Sequence, residues 1–175
     1  MTQKVSVLGI DIAKQIFHVV GMDSLGKIVF RKRLMRGAFM PFIAQIPPVV
    51  IGMEACGSAH YWARQCRVHG HDVRLMAPQF VKPYVKANKN DTRDAEAIGE
   101  AVTRPTMRFV PIKEVDQQDL QALHRVRERL IKARTAFINE LRGLLSEYGI
   151  ILPKGVTQFR TQLRGKLVGE ADKLT

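Results

Sequence analysis

Two aspartates lie three residues apart, at positions 91 and 94 of the stretch KNDTRDAEAI. The residues that follow are strong helix formers, and positions i and i+3 of a helix share one face, so both carboxylates can point to one place. Carboxylates held that close raise each other's pKa unless a cation lies between them, and hard oxygen ligands suit Mg²⁺ or Mn²⁺. The pair favours a divalent-metal site. A solvated first turn of a helix, where aspartate is common, stays open as the structural alternative.

Two further carboxylates each follow a stretch that predicts a buried strand. Asp11 follows VSVLGI, and Glu54 follows VVIGM. A charge there is costly unless it is paired or metal-bound, and strand ends of an open α/β sheet are where sites form. We therefore predict that Asp11, Glu54, Asp91 and Asp94 converge. Two divalent ions would balance their charge, which is the arrangement for in-line phosphodiester chemistry. His60 is not needed for this site and is expected to be a helix-surface or core histidine.

The elements that must position these acids form an α/β pattern. Three strands joined by short turns predict an antiparallel meander, and the strand, helix and strand that follow predict a βαβ unit with parallel pairing. Ser58 is placed to cap the helix that begins at Ala59. The predicted strands are 5–10, 16–22, 27–35, 49–53 and 71–76, and the predicted helices are 38–45, 59–69 and 91–104. The expected fold is a mixed five-stranded sheet with flanking helices, followed by a long helical region.

The stretch from about 113 to 148 predicts that long helix. Leu123, Leu130, Phe137 and Leu144 repeat every seven residues, and Ile131, Ile138 and Leu145 form a second row. Such spacing suits a helical hairpin or coiled coil, and a helix packed back on the sheet is the alternative. The expected organisation is a catalytic domain at 1–110, a basic helical region at 113–150, and a tail or the start of a further domain at 151–175.

The formal net charge of +12 indicates a polyanionic partner, and nucleic acid is the commonest. A ribosomal or membrane-surface protein would fit the charge alone. Basic residues on the third strand could equally blunt an exposed sheet edge. The candidate nucleic-acid contacts lie on that strand, around the aspartate pair and on the long helix: Arg31, Lys32, Arg33, Lys86, Lys89, Arg93, Arg125, Arg127, Arg129, Lys132 and Arg134.

Two cysteines without metal-binding spacing indicate a reducing compartment rather than a disulfide scaffold. The first residues have no apolar core of signal-peptide length, and no run of about 18 apolar residues exists, so we expect a cytoplasmic protein without a membrane span.

Three motifs in order resemble one family: GIDIAK at 9–14, GMEACGSAHYWA at 52–63 and KNDTRDAEAI at 89–98. With their flanks, they are similar to the DEDD-type insertion-sequence transposases and the related pilin-inversion recombinases. These proteins have a ribonuclease H-like fold of the kind found in RuvC Holliday-junction resolvases. The resemblance covers residues 5 to about 155.

The resemblance implies that Asp11, Glu54, Asp91 and Asp94 are a metal-binding tetrad, holding two Mg²⁺ or Mn²⁺ ions, in a bacterial or archaeal enzyme that cleaves and recombines DNA. It implies DNA and a structured guide RNA as partners, and a homodimer or homotetramer assembled through the long helices. Family members continue into a second domain that carries an attacking serine. We expect this chain alone to be incomplete for strand exchange.

Two other functions compete with this interpretation. The chain could be a nucleic-acid-binding or assembly module without catalysis, in which the basic helix acts and the acids are a scaffold. A phosphotransferase related to acetate and sugar kinases would share part of the topology, but the sequence has no glycine loop of the phosphate-cradling type.

Overall fold

The computed structural model describes residues 4–85 and 91–171. The chain divides into two compact units, Met1–Glu114 and Val115–Thr175, here called the sheet unit and the helical unit. The strands are β1 (Val7–Ile12), β2 (Ile16–Met22), β3 (Ile28–Met35), β4 (Val50–Glu54), β5 (Asp72–Met76) and β6 (Phe109–Val110). The helices are α1 (Arg36–Ala44), α2 (Ala59–Val68), α3 (Pro78–Val81), α4 (Asp91–Val102), α5 (Val115–Glu147) and α6 (Val156–Ala171).

The sheet has the order β3-β2-β1-β4-β5-β6. The first three strands pair antiparallel, β4 is parallel to β1, and β5 is parallel to β4. This mixed arrangement confirms the expected ribonuclease H-like fold. The predicted count of five strands is wrong, because Phe109 and Val110 form a short sixth strand antiparallel to β5. Two paired residues carry no alternating pattern, so this strand resembled an extended link in the sequence.

Helices cover both faces of the sheet. On one face, Phe17, Phe39 and Trp62 form an aromatic core with α1 and α2, with Phe17 and Phe39 ring centroids 4.7 Å apart. On the other face, α4 packs Ala95 and Ile98 against the strands. Each large side chain buried in this way contributes roughly 1.5–3 kcal/mol to stability.

Helix α4 approaches the sheet so closely that a side chain would not fit between them. A Cβ atom built on Gly9 would lie 2.1 Å from the carbonyl oxygen of Ala95 and 2.5 Å from the backbone nitrogen of Gly99. Since glycine has no Cβ, strand and helix backbones can touch at this point. The glycine of the GIDIAK motif therefore sets the distance between β1 and α4.

The helical unit consists of α5, α6 and the segment between them. None of the described side chains of α5 is buried. Leu152 and Phe159 are buried instead, and the Arg142 Nε donates a hydrogen bond to the Leu152 carbonyl oxygen at 3.3 Å. Within the stretch 151–175, for which the sequence predicts a tail or the start of a further domain, Val156–Ala171 is helical, and the buried Phe159 gives this mostly polar helix an apolar anchor.

Among the described residues, no helix has both the length and the apolar character needed to cross a membrane.

Candidate metal centre and basic surface

Asp11 and Glu54 lie at the ends of two adjacent central strands, as predicted. Strands β1 and β4 are parallel, with Ile10 level with Met53, so the carboxylates that follow leave the sheet at the same edge. Side chains alternate between sheet faces, and Asp11 has the parity of Gly9, which faces α4. Glu54 has the parity of Gly52, which also faces α4. Both half-buried carboxylates therefore lie on the α4 side.

Helix α4 begins at Asp91 and brings Asp94 to this edge. The pKa of Glu54 is raised, first by burial and then by the negative charges of Asp11 and Asp94. Asp11 and Asp94 therefore lie close enough to Glu54 for their charges to act on it. The side chain of Asp91 lies outside the described residues.

The donor chemistry fits a hard divalent cation, because every contributor is a carboxylate oxygen. However, no three histidine, cysteine, aspartate or glutamate side chains among those described are grouped closely enough to hold an ion. The effect of Asp11 and Asp94 on the pKa of Glu54 is compatible with this absence, because charges interact over longer distances than those at which ligands bind a metal ion. Among the described side chains, Asp11, Glu54 and Asp94 therefore lie near one another without forming a closed ligand cage.

Two neighbours of the acids were missed by sequence reasoning. His18 pairs directly with Asp11 across β1 and β2, so it faces the same side of the sheet. Its Nδ1 atom is buried and has no hydrogen-bond partner among the described residues. Cys56 follows Glu54 by two residues, and burial raises its pKa, with Glu54 and Asp11 adding to the effect. The hairpin register, which the sequence does not reveal, is what places His18 there.

His60 and Ser58 lie at the start of α2, and only one of them has the role expected from the sequence. His60 serves the structure: its Nδ1 accepts the backbone N–H of Lys113 at 3.2 Å, and its pKa is lowered by burial and then by Lys113 and Arg64. Ser58 precedes α2 but makes no capping hydrogen bond through its side chain. Its φ of 67° puts it in the left-handed region, which is rare for residues other than glycine, and the predicted cap is wrong.

The basic residues of β3 divide between the two faces of the sheet. Arg33 is level with His18, in the row that continues to Asp11. Arg31 makes a 2.5 Å ion pair with Glu96 of α4. Lys32 lies on the opposite face, with its Nζ 4.6 Å from the Phe42 ring centroid. Of these three, Arg33 is best placed to meet a ligand of the acids.

The other predicted contacts lie in different settings. Arg93 is exposed on α4 and lines a cavity of about 420 Å³ together with Glu96 and Glu100. Lys86 and Lys89 lie outside the described residues. Lys132 of α5 pairs with Glu128 at 2.8 Å. All five of the predicted contacts on α5 are exposed: Arg125, Arg127, Arg129, Lys132 and Arg134.

The fold and the site together define a class of protein: a ribonuclease H-like α/β unit with carboxylates gathered at the ends of its central strands. A family model for DEDD transposases of the IS110 type, described as a transposase, matches residues 8–150. The chain belongs to this family.

Several relatives share much of the sequence. The chain is 58% identical over 146 residues to a probable family 20 transposase of Pseudomonas aeruginosa, covering 83% of this chain and 43% of that protein. It is 47% identical over 171 residues to the transposase for insertion sequence element IS1111A of Coxiella burnetii, covering 98% and 47%. The chain thus spans less than half the length of these relatives. Among solved structures, T. thermophilus RuvC in complex with a Holliday junction substrate matches with a TM-score of 0.46 and 14% identity, covering 59% of this chain and 98% of that chain.

Proposed function

We propose that this chain is the N-terminal, carboxylate-bearing part of a transposase that cleaves and recombines DNA with divalent metal ions. Residues 1–110 would be the catalytic domain, residues 113–150 a basic helical region, and residues 151–175 a tail or the start of a further domain. The observation that carries the proposal is the placement of Asp11 and Glu54 at the same end of two adjacent parallel strands, on the side of the sheet that α4 covers.

Asp11, Glu54, Asp91 and Asp94 would hold the metal, as two ions of Mg²⁺ or Mn²⁺. When bound, such ions activate the attacking oxygen and stabilise the leaving oxygen of a phosphodiester. The chain's own contribution is position: two strand ends and one helix start hold the oxygen donors at one edge of the sheet. Without a cation, their mutual repulsion and the burial of Glu54 disfavour the fully ionised set.

The nucleic-acid partners follow from charge. DNA would lie across the edge that holds the acids, where Arg33 shares a row with Asp11. The exposed arginines of α5 suit a second nucleic-acid surface, and a structured guide RNA is the partner that the family resemblance implies for it. Such contacts with phosphates would make binding fall steeply with salt.

Calorimetric titration of Mn²⁺ into the whole chain at low ionic strength tests the metal site. We expect one or two ions to bind to the wild type and not to Asp11→Asn. Asp72→Asn is the matched control, because Asp72 is an exposed aspartate at the beginning of β5, at the opposite edge. Binding that Asp11→Asn retains, or that Asp72→Asn loses equally, would contradict the tetrad.

A second function, assembly without catalysis, is favoured by α5. Leu123, Leu130, Phe137 and Leu144 are 68%, 64%, 60% and 56% exposed although they repeat at heptad spacing. An apolar row that is exposed along a 33-residue helix is suited to another helix of the same kind. We propose that it joins copies of the chain into a homodimer or homotetramer.

Sedimentation of the wild type and of Leu130→Asp at several concentrations tests this surface. We expect the wild type to associate and the variant to remain monomeric. Leu25→Asp is the control, because Leu25 is 91% exposed in the turn between β2 and β3. If metal binding fails but association and salt-dependent RNA binding persist, the assembly function replaces the catalytic one.

A further inference from the structure

A second cavity opens at the strand-end edge, on the face of the sheet away from the acids. It has a volume of about 480 Å³ and is lined by the β1–β2 turn, the first residue of α1 and the turn before α2. Ile12 belongs to the α1–α2 side of the sheet, where it packs against the aromatic core. We call this cavity the basic pocket, after Lys14 and Arg36, which line it together with Gln15, Gly57 and Ser58.

The charge of the basic pocket is of one sign. Lys14 and Arg36 contribute two positive charges, and the described residues that line the cavity include no carboxylate. The cavity beside α4 differs, because there Arg93 and Arg104 are offset by acids that include Glu96 and Glu100. A cavity with two cations and no internal counter-ion attracts an anion of small size.

Arg36 is exposed to solvent, but two contacts orient its side chain. Its guanidinium carbon lies 4.9 Å from the centre of the Trp62 ring, and its Nη1 donates a hydrogen bond to the Lys14 carbonyl oxygen at 3.2 Å. Its own backbone N–H donates to the Gln15 carbonyl oxygen at 2.8 Å. A guanidinium has five N–H donors in a rigid fork that matches phosphate geometry. The two contacts orient the guanidinium toward the pocket's wall, which lowers the entropy cost of binding.

The other walls of the pocket leave room for a backbone phosphate. A Cβ atom on Gly57 would meet no described atom within 4 Å, so this side of the turn is open. The Ser58 hydroxyl is exposed and does not cap α2. Both residues follow Glu54 closely in sequence, as Lys14 follows Asp11. A short segment of backbone therefore connects Asp11 to Lys14, and another connects Glu54 to Gly57 and Ser58.

We propose that the basic pocket binds a phosphodiester group of the nucleic-acid strand that crosses the strand-end edge, a neighbour of the phosphate presented to Asp11 and Glu54. Lys14 and Arg36 bind this phosphate and set the register of the strand against the acids. The inference rests on the proposed function for the presence of a nucleic-acid strand, but not on the metal.

Fluorescence anisotropy with a short labelled DNA duplex tests the pocket. Binding is measured in EDTA between about 50 and 200 mM salt. When the logarithm of the binding constant is plotted against the logarithm of the salt concentration, each phosphate contact contributes about −0.9 to the slope. We expect Lys14→Ala and Arg36→Gln each to weaken binding roughly five- to tenfold near 0.1 M salt and to lower the salt slope by about one contact. Arg36→Lys should keep most of the slope, because the charge remains.

Arg67→Ala is the matched control, because it removes one exposed positive charge from the other end of α2. We expect its salt slope to be unchanged. Equal losses in Arg67→Ala and Lys14→Ala, or unchanged binding in both pocket variants, would overturn the proposal. Urea unfolding of each variant, followed by Trp62 fluorescence, identifies a loss that comes from unfolding, and Lys14→Ala keeps the test decisive if Arg36→Gln unfolds.

Titration of Mn²⁺ into the same variants separates this proposal from the metal function. If Lys14→Ala binds Mn²⁺ like the wild type but loses no DNA affinity, the pocket fails and the metal function stands. If the wild type binds no Mn²⁺ but the pocket variants lose DNA affinity and salt slope, the metal function fails and the pocket stands.

Discussion

Replacement of Gly9 by alanine should separate α4 from the sheet and displace Asp94 with it. The added Cβ would lie 2.1 Å from the Ala95 carbonyl oxygen and 2.8 Å from the Gly99 Cα, whereas real Cβ atoms essentially never approach another atom closer than 3.0 Å. The clashing atoms belong to the backbone, so no side-chain rotation relieves the contact. The helix must move away by about 1 Å.

The size of the effect follows from what α4 buries. A gap of 0.5–1 Å forfeits about a quarter to a half of the dispersion energy between facing atoms. Four residues of α4 are buried and would lose such contacts together: Ala95, Ile98, Ala101 and Val102. Overpacking of this kind usually costs about 1–3 kcal/mol, and because only backbone can give way here, we expect a loss at the upper end of that range, about 3 kcal/mol. That is a large share of a domain stability of about 5–15 kcal/mol.

The assay is urea unfolding followed by Trp62 fluorescence, because Trp62 is the only tryptophan and lies in the sheet unit. Gly37→Ala is the control: Gly37 is in α1, and an alanine methyl group there would have no described atom within 4 Å, so alanine should add about 0.5–1 kcal/mol. Mn²⁺ binding should weaken in Gly9→Ala and not in Gly37→Ala. A Gly9→Ala protein within about 0.5 kcal/mol of the wild type would refute the close approach of β1 and α4.

Three further predictions concern titratable groups. Burial lowers the pKa of His71, so its contribution to stability is complete above its ordinary value of 6.5 and is lost as the pH falls below it; unfolding midpoints measured from about pH 7.5 to 5.5 should fall less in His71→Gln. The raised pKa of Glu54 gives the opposite sign, with stability lost as the pH rises from 4.5 through the folded value, so Glu54→Gln should stabilise the metal-free chain at pH 7 in urea unfolding. Cys66 is buried with a pKa raised to about 12, whereas Cys56 is only half-buried although its pKa is also raised, so iodoacetamide should modify Cys56 slowly in the native chain and Cys66 only after unfolding, as mass spectrometry of digests would show.

The placement of Asp11 and Glu54 could be predicted because it depends on local patterns. Each follows a short apolar run, and adjacent parallel strands bring their ends to one edge whatever the details of packing. The side of the sheet that they face could not be predicted. That depends on α4, which packs where Gly9 and Gly52 leave room, and this close approach is a tertiary property.

Other features depend on pairing or on strain that a single sequence does not reveal. His18 lies beside Asp11 only because of the β1–β2 register, and a shift of one residue would turn it to the opposite face. Ser58 looked like an ordinary helix cap, but its left-handed backbone removes it from that role. The helix α6 was missed because its polar composition hides one anchor, Phe159.

The exposure of α5 has a consequence for when this helix becomes ordered. Most helical stability in proteins comes from packing, and none of the described side chains of α5 is buried in its own chain. Its helix–coil equilibrium therefore depends on the concentration of binding partners. Any surface that binds the apolar row shifts this equilibrium toward the helix. The entropy loss of ordering 33 residues then falls on the encounter with a partner. The helix content of the helical unit would therefore increase with protein concentration. The secondary structure of the sheet unit would not depend on concentration.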